Sequence, residues 1–188
     1  ADVVVRMPTG AGVGAGPFHS QSNEAWFFHT PGLKVVYPST PADAKGLLIS
    51  AFDDPNPVMF FEHKALYRSI EGDVPEGYYN VPIGKARVVN EGQDVTVVTY
   101  GAPVIWMQDL IQSGAFSGEV ELIDLRSLMP WDKETVFESV RKTGKVLVLT
   151  EDSLTGSIAS EIAAEIGEVC FKNLDAPVAR LGALDTPI

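Results

Sequence analysis

Cysteine is nearly missing from this sequence: Cys170 stands alone, so no internal disulfide can form. That usage is compatible with a reducing compartment. Basic residues are scarce too, with 14 Lys and Arg against 25 Asp and Glu and a net charge of −11. Nucleic-acid binding requires clustered cations on phosphate, so the charge argues against that class of function. The acidic residues are scattered rather than gathered into a tail, as on a solvated surface. No apolar run approaches the ~20 residues that span a bilayer. The first six residues, Ala1-Asp2-Val3-Val4-Val5-Arg6, lack the charged-then-apolar plan of a signal peptide. Histidine occurs only at 19, 29 and 63, with no His-x-x-x-His spacing, which disfavours zinc.

Apolar residues make up 45% of the chain and charged residues 21%, the balance of a packed globular protein. A length of 188 residues fits one large domain or two small ones. Both ends read as cut, the first inside a buried strand and the last on a turn, so a fragment is expected.

Strand-like and helix-like stretches alternate, which predicts a mainly parallel α/β fold covered on both faces. Strands are expected at 3–6, 34–37, 58–62, 94–100, 120–124, 145–150 and 178–182. Helices are expected at 20–29, from Thr40 to Asp54, and at 104–112, 131–142 and 156–171. The Thr40-Pro41-Ala42-Asp43 start combines a cap, a first-turn proline and an acidic group at the positive helix end. The 58–62 run is almost wholly apolar, as in a central strand. Residues 69–84 mix Gly, Pro and acidic residues without an apolar period and read as a linker or surface excursion. Two units follow, 1–83 and 84–188.

Several places invite a chemical reading. Gly10, Gly12, Gly14 and Gly16 alternate between a strand and a helix. The dinucleotide fingerprint needs Gly-x-Gly-x-x-Gly, and here the third glycine comes one residue early. No Gly-Lys-Ser/Thr follows, so it is no P-loop either. The glycines instead suit a backbone that bends sharply or approaches a neighbour closely. His19 lies between this loop and the helix predicted to follow, where its neutral imidazole can exchange protons. Ser20 and Ser22 are expected to cap that helix, and Glu24 to support its first turn or orient a neighbour. The alternative is a histidine that caps or packs locally. His29, at a helix end, reads as structural. His63, after a strand end, is either a ligand contact or a surface edge. Cys170 falls among Ile162, Ile166 and Phe171 and reads as a core thiol. Ala51, Asp54 and Asn56 offer oxygens at a helix C-terminus, a set that suits a hard cation or simply an Asx-Pro turn.

Taken together these strings resemble the beta subunit of the thiamine-dependent decarboxylating component of 2-oxoacid dehydrogenases, of branched-chain or pyruvate type. The strings are His19-Ser20-Gln21-Ser22 with Glu24-Ala25, Pro31-Gly32-Leu33-Lys34-Val35-Val36 and Asp43-Ala44-Lys45-Gly46-Leu47-Leu48. Phe60-Phe61-Glu62 with Leu66-Tyr67-Arg68, Ile123-Asp124-Leu125-Arg126, Pro130-Trp131-Asp132 and Lys142-Thr143-Gly144 continue the likeness. Phe61-Glu62 with Tyr67-Arg68, and Met129-Pro130-Trp131-Asp132, lean toward the branched-chain type.

The resemblance implies a partial pyrimidine-binding domain in the first unit and a transketolase C-terminal domain in the second. It implies a heterotetramer of two alpha and two beta subunits that decarboxylates a 2-oxoacid and passes the acyl group to a lipoyl acyltransferase. His19 then matches the catalytic histidine, moving protons during decarboxylation and lipoyl acylation. Val3, Val4, Ala51, Asp54 and Asn56 match a structural potassium site, although Val4 replaces a hydroxyl-bearing residue of some relatives. Thiamine diphosphate and Mg are implied for the full enzyme, held largely by parts outside this sequence, so the isolated chain is expected to be inactive. The compartment implied is bacterial cytoplasm, with the mitochondrial matrix as the alternative. Two other readings stay open: a transketolase or deoxyxylulose-phosphate-synthase-like enzyme, and a non-catalytic subunit-assembly module.

Overall fold

The computed structural model describes residues 2–187. In chain order the elements are β1 (Val4–Thr9), α1 (Pro17–Ser20), α2 (Ala25–Phe28), β2 (Lys34–Val36), α3 (Pro41–Asp53), β3 (Val58–His63) and α4 (Leu66–Ser69). Then come β4 (Arg87–Asn90), β5 (Val95–Thr99), α5 (Ala102–Gln112), β6 (Val120–Asp124), β7 (Ser127–Met129), α6 (Lys133–Thr143), β8 (Val146–Ser153), α7 (Ile158–Val169) and β9 (Ala179–Ala183).

The strands form two sheets, ordered β1-β3-β2-β7 and β4-β6-β5-β8-β9. Pairing is parallel except at β2–β7 and β4–β6, so the mainly parallel α/β expectation is borne out. All six residues of β3 are buried, as its apolar run requires. Helix α3 begins as its sequence predicts: Thr40 accepts from the Asp43 N–H at 3.2 Å, and Pro41 occupies the first turn. Residues 70–84 are a strap over α3. The Val81 N–H donates to the Gly46 carbonyl at 3.2 Å, and a Cβ on Gly46 would lie 2.5 Å from Val81 Cγ2.

Two short strands lie outside the sequence expectations. β7 belongs to the second half of the chain yet closes the first sheet beside β2. One apolar core therefore serves both units: Val35, Tyr37 and Phe61 pack in one cluster with Val98, Tyr100, Ile123 and Trp131. Cys170 is fully buried in that cluster, as a core thiol should be. The helix expected at 20–29 is instead two single turns, because Gln21 adopts an extended backbone (φ −71°, ψ 144°) between them.

Candidate functional site

The carboxyl ends of β1, β2 and β3 face those of β5 and β8 across a seam. In parallel α/β sheets this is where ligands collect, because loops, not strands, build that edge. The first loop there is the glycine run. Gly10, Gly12, Gly14 and Gly16 all have positive φ, at 96°, 85°, 64° and 77°. The sharp bending expected of them is present, since side-chain-bearing residues rarely adopt such angles. Gly10 also makes a close approach: a Cβ there would lie 2.3 Å from His63 Nε2.

Pro17 then opens α1, and His19 is its third residue, exposed to solvent. The position differs from expectation. His19 sits in the last turn of a one-turn helix, not at the N-terminus of a longer one. Neither serine caps through its side chain: Ser20 Oγ accepts from the Ala15 N–H at 3.3 Å, and Ser22 Oγ is buried without a partner. The backbone around His19 is held from below. Lys64 Nζ donates to the His19 carbonyl. Thr9 Oγ1 donates to the Gln21 carbonyl at 2.9 Å. His19 lines an open concavity of about 570 Å³ with Arg6, Met7, Gln21, Asn23 and Trp26. An exposed imidazole at such an opening is free to exchange a proton with a bound molecule.

Beneath this surface lies a buried polar layer with little signal in the sequence. Glu24 is 1% exposed and accepts from Tyr100 Oη at 2.7 Å, while Tyr100 Oη also lies 2.8 Å from Thr150 Oγ1. Burial pushes the Glu24 carboxyl up to about 7, nearby Asp152 adds to the rise, and the Tyr100 hydroxyl opposes it. Burial likewise raises Asp152 to about 6. His63 is buried, contrary to a surface edge, and its Nε2 lies 2.5 Å from Glu151 Oε2. Glu151 Oε1 accepts from the Ala11 N–H at 2.8 Å. The only hint of Glu151 and Asp152 in the sequence is an apolar strand ending in two acids. His29 caps the C-terminus of α2 and is exposed.

Glu24 gives a pH-dependence with a definite sign. Its carboxyl keeps a proton in the folded state between its ordinary value near 4.5 and about 7, where the unfolded chain has lost it. Stability should therefore fall as pH rises through that window, by about 3 kcal/mol from this group. Glu24→Gln should flatten the slope in denaturant unfolding compared between pH 5 and pH 8. An unchanged slope in the variant would contradict the assignment.

The residues matched to a cation site gather at the opposite end of the first sheet. The Val58 N–H donates to the Val3 carbonyl at 2.9 Å, and Val4 pairs with Val58. Asp54 Oδ1 accepts from the Asn56 N–H at 2.9 Å and from Asn56 Nδ2 at 2.8 Å. Lys34 Nζ contacts Asp54 Oδ2. Burial opposes ionisation of Asp54, but the bonds from Lys34 and Asn56 outweigh it and hold the carboxyl below its usual range. Val3 and Val4 thus lie beside Val58, two residues beyond Asn56, and Val4 packs against the apolar cluster that holds Ala51. Asp54 already has a cationic neighbour there. Among the described residues no three His, Cys, Asp or Glu converge as a metal set.

Comparison with known proteins decides between folds that share this layout. The family "Transketolase, C-terminal domain" matches residues 84–188. The chain belongs to that transketolase family. The companion family "Transketolase, pyrimidine binding domain" matches residues 1–69, so the seam lies between two transketolase-type units. Along 186 residues the chain is 50% identical to "2-oxoisovalerate dehydrogenase subunit beta 2, mitochondrial" of Arabidopsis thaliana, covering 98% of this chain and 52% of that one. It is 44% identical to "Pyruvate dehydrogenase E1 component subunit beta" of Mycoplasma pneumoniae, covering 97% of this chain and 56% of that one. Among solved structures, "Split gene transketolase, inactive beta4 tetramer" superposes with a TM-score of 0.76 at 26% identity, over 98% of this chain and 58% of that one. The transketolase-type chain thus spans about half the length of the curated relatives it matches. The likeness to 2-oxoacid dehydrogenase beta subunits holds over nearly all of it, in relatives both mitochondrial and bacterial. The family is thiamine-dependent.

Proposed function

We propose that this chain is the part of a 2-oxoacid dehydrogenase beta subunit that carries its catalytic histidine, His19. The observation that supports this reading is local. An exposed imidazole stands on a glycine-bent loop at the carboxyl end of a parallel sheet, within the transketolase pyrimidine-binding unit. The units are taken as 1–83 and 84–188, the strap up to residue 83 included in the first. Full activity is assigned to a heterotetramer with an alpha partner and a second beta subunit, working on a lipoyl acyltransferase. Exposed Phe171, Leu181 and Leu184 on the second unit offer apolar area for such contacts.

The concavity at His19 is open, and its lining mixes Arg6, Gln21 and Asn23 with Met7, Phe18 and Trp26, so a small polar substrate could reach the imidazole there. Thiamine diphosphate, when bound, supplies the electron sink for decarboxylation. His19 would be the chain's own proton carrier: it would give a proton to the lipoyl sulfur freed as the disulfide opens onto the acyl carbon, and regain one as the substrate hydroxyl becomes the thioester carbonyl. Arg6 lies at the same opening, but Glu62 takes its guanidinium in two bonds of 2.7 and 2.9 Å. The diphosphate and Mg are assigned to the alpha partner. Bacterial cytoplasm is the compartment proposed.

A branched-chain substrate is preferred, because identity to the 2-oxoisovalerate enzyme exceeds that to the pyruvate enzyme. The transketolase neighbour keeps a sugar-phosphate reaction as the second reading. The full-length protein with its alpha partner should act fastest on 2-oxoisovalerate, more slowly on pyruvate and not on a keto-sugar phosphate. Turnover of the sugar phosphate alone would overturn the reading.

Val3, Val4, Ala51, Asp54 and Asn56 are proposed to hold a structural potassium ion, sharing the Asp54 carboxylate with Lys34. Potassium should then raise the thermal midpoint of the full-length protein above that in sodium at equal ionic strength, and Asp54→Ala should remove the difference. Equal midpoints in the unaltered protein sink the assignment.

A further inference from the structure

Among the described residues, Glu151 is the side chain of the second unit that hydrogen-bonds to the histidine loop. Its two carboxylate oxygens do different things. Oε2 meets His63 Nε2 at 2.5 Å, at the end of β3. Oε1 accepts the Ala11 N–H at 2.8 Å, one residue beyond β1 and Gly10. Both partners belong to the first unit, 140 and 88 residues away in sequence. Gly10 lies so close to the His63 ring that a Cβ would stand 2.3 Å from Nε2, so the ring and the carboxylate together fix where the loop leaves the sheet.

From the same strand end, Lys64 holds the His19 carbonyl, and the Lys64 N–H donates to the Thr9 carbonyl at 2.9 Å. The loop from 10 to 21 is thus tied at both of its ends to residues 63, 64 and 151. Its middle is open, with nothing within 4 Å of where a Cβ would stand on Gly12, Gly14 or Gly16, and the bonds there run within the loop, from the Ala15 N–H to Ser20 Oγ and from the His19 and Ser20 N–H groups to the Gly16 carbonyl. A glycine-rich segment loses more freedom on ordering than any other, so its position depends on the few contacts that hold it.

We infer that Glu151 and His63 are positioning residues that hold the 10–21 loop, and with it His19, from across the seam between the two units. The inference rests on the catalytic reading of His19 for its consequence, not for its geometry. It assigns the second unit a part in the chemistry that contact with partner subunits would not require.

The test uses the full-length protein assembled with its alpha partner. Hydrogen exchange is followed in peptides covering 10–21, alongside kcat and KM for lipoyl acylation. Glu151→Ala should speed exchange of the Ala11 amide and its neighbours about tenfold or more. It should lower kcat by up to about 100-fold through misplacement of His19, with KM little changed because Glu151 touches no substrate. Glu151→Gln should recover much of both, since an amide still accepts from Ala11 and donates to a neutral His63. Gly10→Ala attacks the same contact from the other side and serves if Glu151→Ala does not assemble. Unchanged exchange over 10–21 in assembled Glu151→Ala, or in Gly10→Ala, overturns the inference. Faster exchange with a full acylation rate removes the positioning role. Faster exchange together with an active His19→Ala variant supports the latch and sinks the catalytic reading instead.

Discussion

His19→Ala should lower lipoyl acylation by the assembled enzyme about 100- to 10,000-fold, the range a positioned proton donor contributes. The fold should not notice. The imidazole is exposed, and among the described residues no hydrogen bond involves its ring; the loop is held through the His19 carbonyl instead. Substitutions at such surface positions change stability by no more than roughly 0.5 kcal/mol. Thermal midpoint and assembly should therefore match the parent while activity collapses. His19→Gln should behave alike, because an amide hydrogen-bonds but does not exchange a proton near neutral pH. Full activity in His19→Ala would end the assignment, whatever the loop around it does.

Arg126→Ala should have the largest effect on stability. Arg126 lies between β6 and β7 with φ at 57°, an angle that side-chain-bearing residues avoid. Its contacts explain why it is tolerated. The guanidinium donates to the Lys85 carbonyl at 3.1 Å, the Ala86 carbonyl at 3.0 Å and Asp43 Oδ1 at 3.0 Å. Its own N–H donates to Asp124 Oδ1 at 3.0 Å, and its carbonyl accepts from the Tyr37 N–H at 2.8 Å. One residue thereby joins the helix of the first unit, the start of the second and the strand between them. Removing it leaves Asp43 Oδ1, in a residue 5% exposed, without its charged partner, while Oδ2 keeps the Thr40 hydroxyl at 2.9 Å and Arg87 at 3.4 Å. A loss of about 3 kcal/mol follows from breaking a buried, hydrogen-bonded pair. For a chain of this size that is a fall of roughly 6–12 °C in midpoint. Arg126→Lys should not restore it, because a point charge cannot serve three separated acceptors. Arg126→Gly should lose slightly less than Arg126→Ala, since glycine accepts the backbone angle. Denaturant unfolding decides: a loss under about 1 kcal/mol for Arg126→Ala would contradict this account.

Local chemistry made much of the fold legible. The apolar run of β3, the Thr40 cap and the four bending glycines are each determined within a few residues, and each stands where the sequence places it. The two short antiparallel strands were not legible, because three or four residues carry no period of their own. β7 exists only because β2 is there to pair with it. The helix expected at 20–29 failed for a related reason. The backbone is extended at Gln21, so a new turn starts at Glu24, whose carbonyl accepts from the Phe27 and Phe28 N–H groups while its side chain meets Tyr100, 76 residues away. His19 was visible as a candidate because it stands beside a glycine run and in a motif resembling a known family. Glu151 was invisible because its partners are distant and its strand gives no sign of which acid turns inward. The buried layer of Glu24, His63 and Glu151 belongs to tertiary structure alone, yet it carries the loop on which the visible residue stands.

The role proposed for this chain is the proton-transferring half of a composite thiamine site. The most direct measurement is 2-oxoisovalerate decarboxylation by the full-length protein, with thiamine diphosphate and Mg, alone and after addition of its alpha partner. No turnover is expected alone, with turnover on mixing and loss of lipoyl acylation when His19→Ala replaces the parent. Equal turnover with and without the alpha partner, or no turnover of any 2-oxoacid by the mixture, would contradict it.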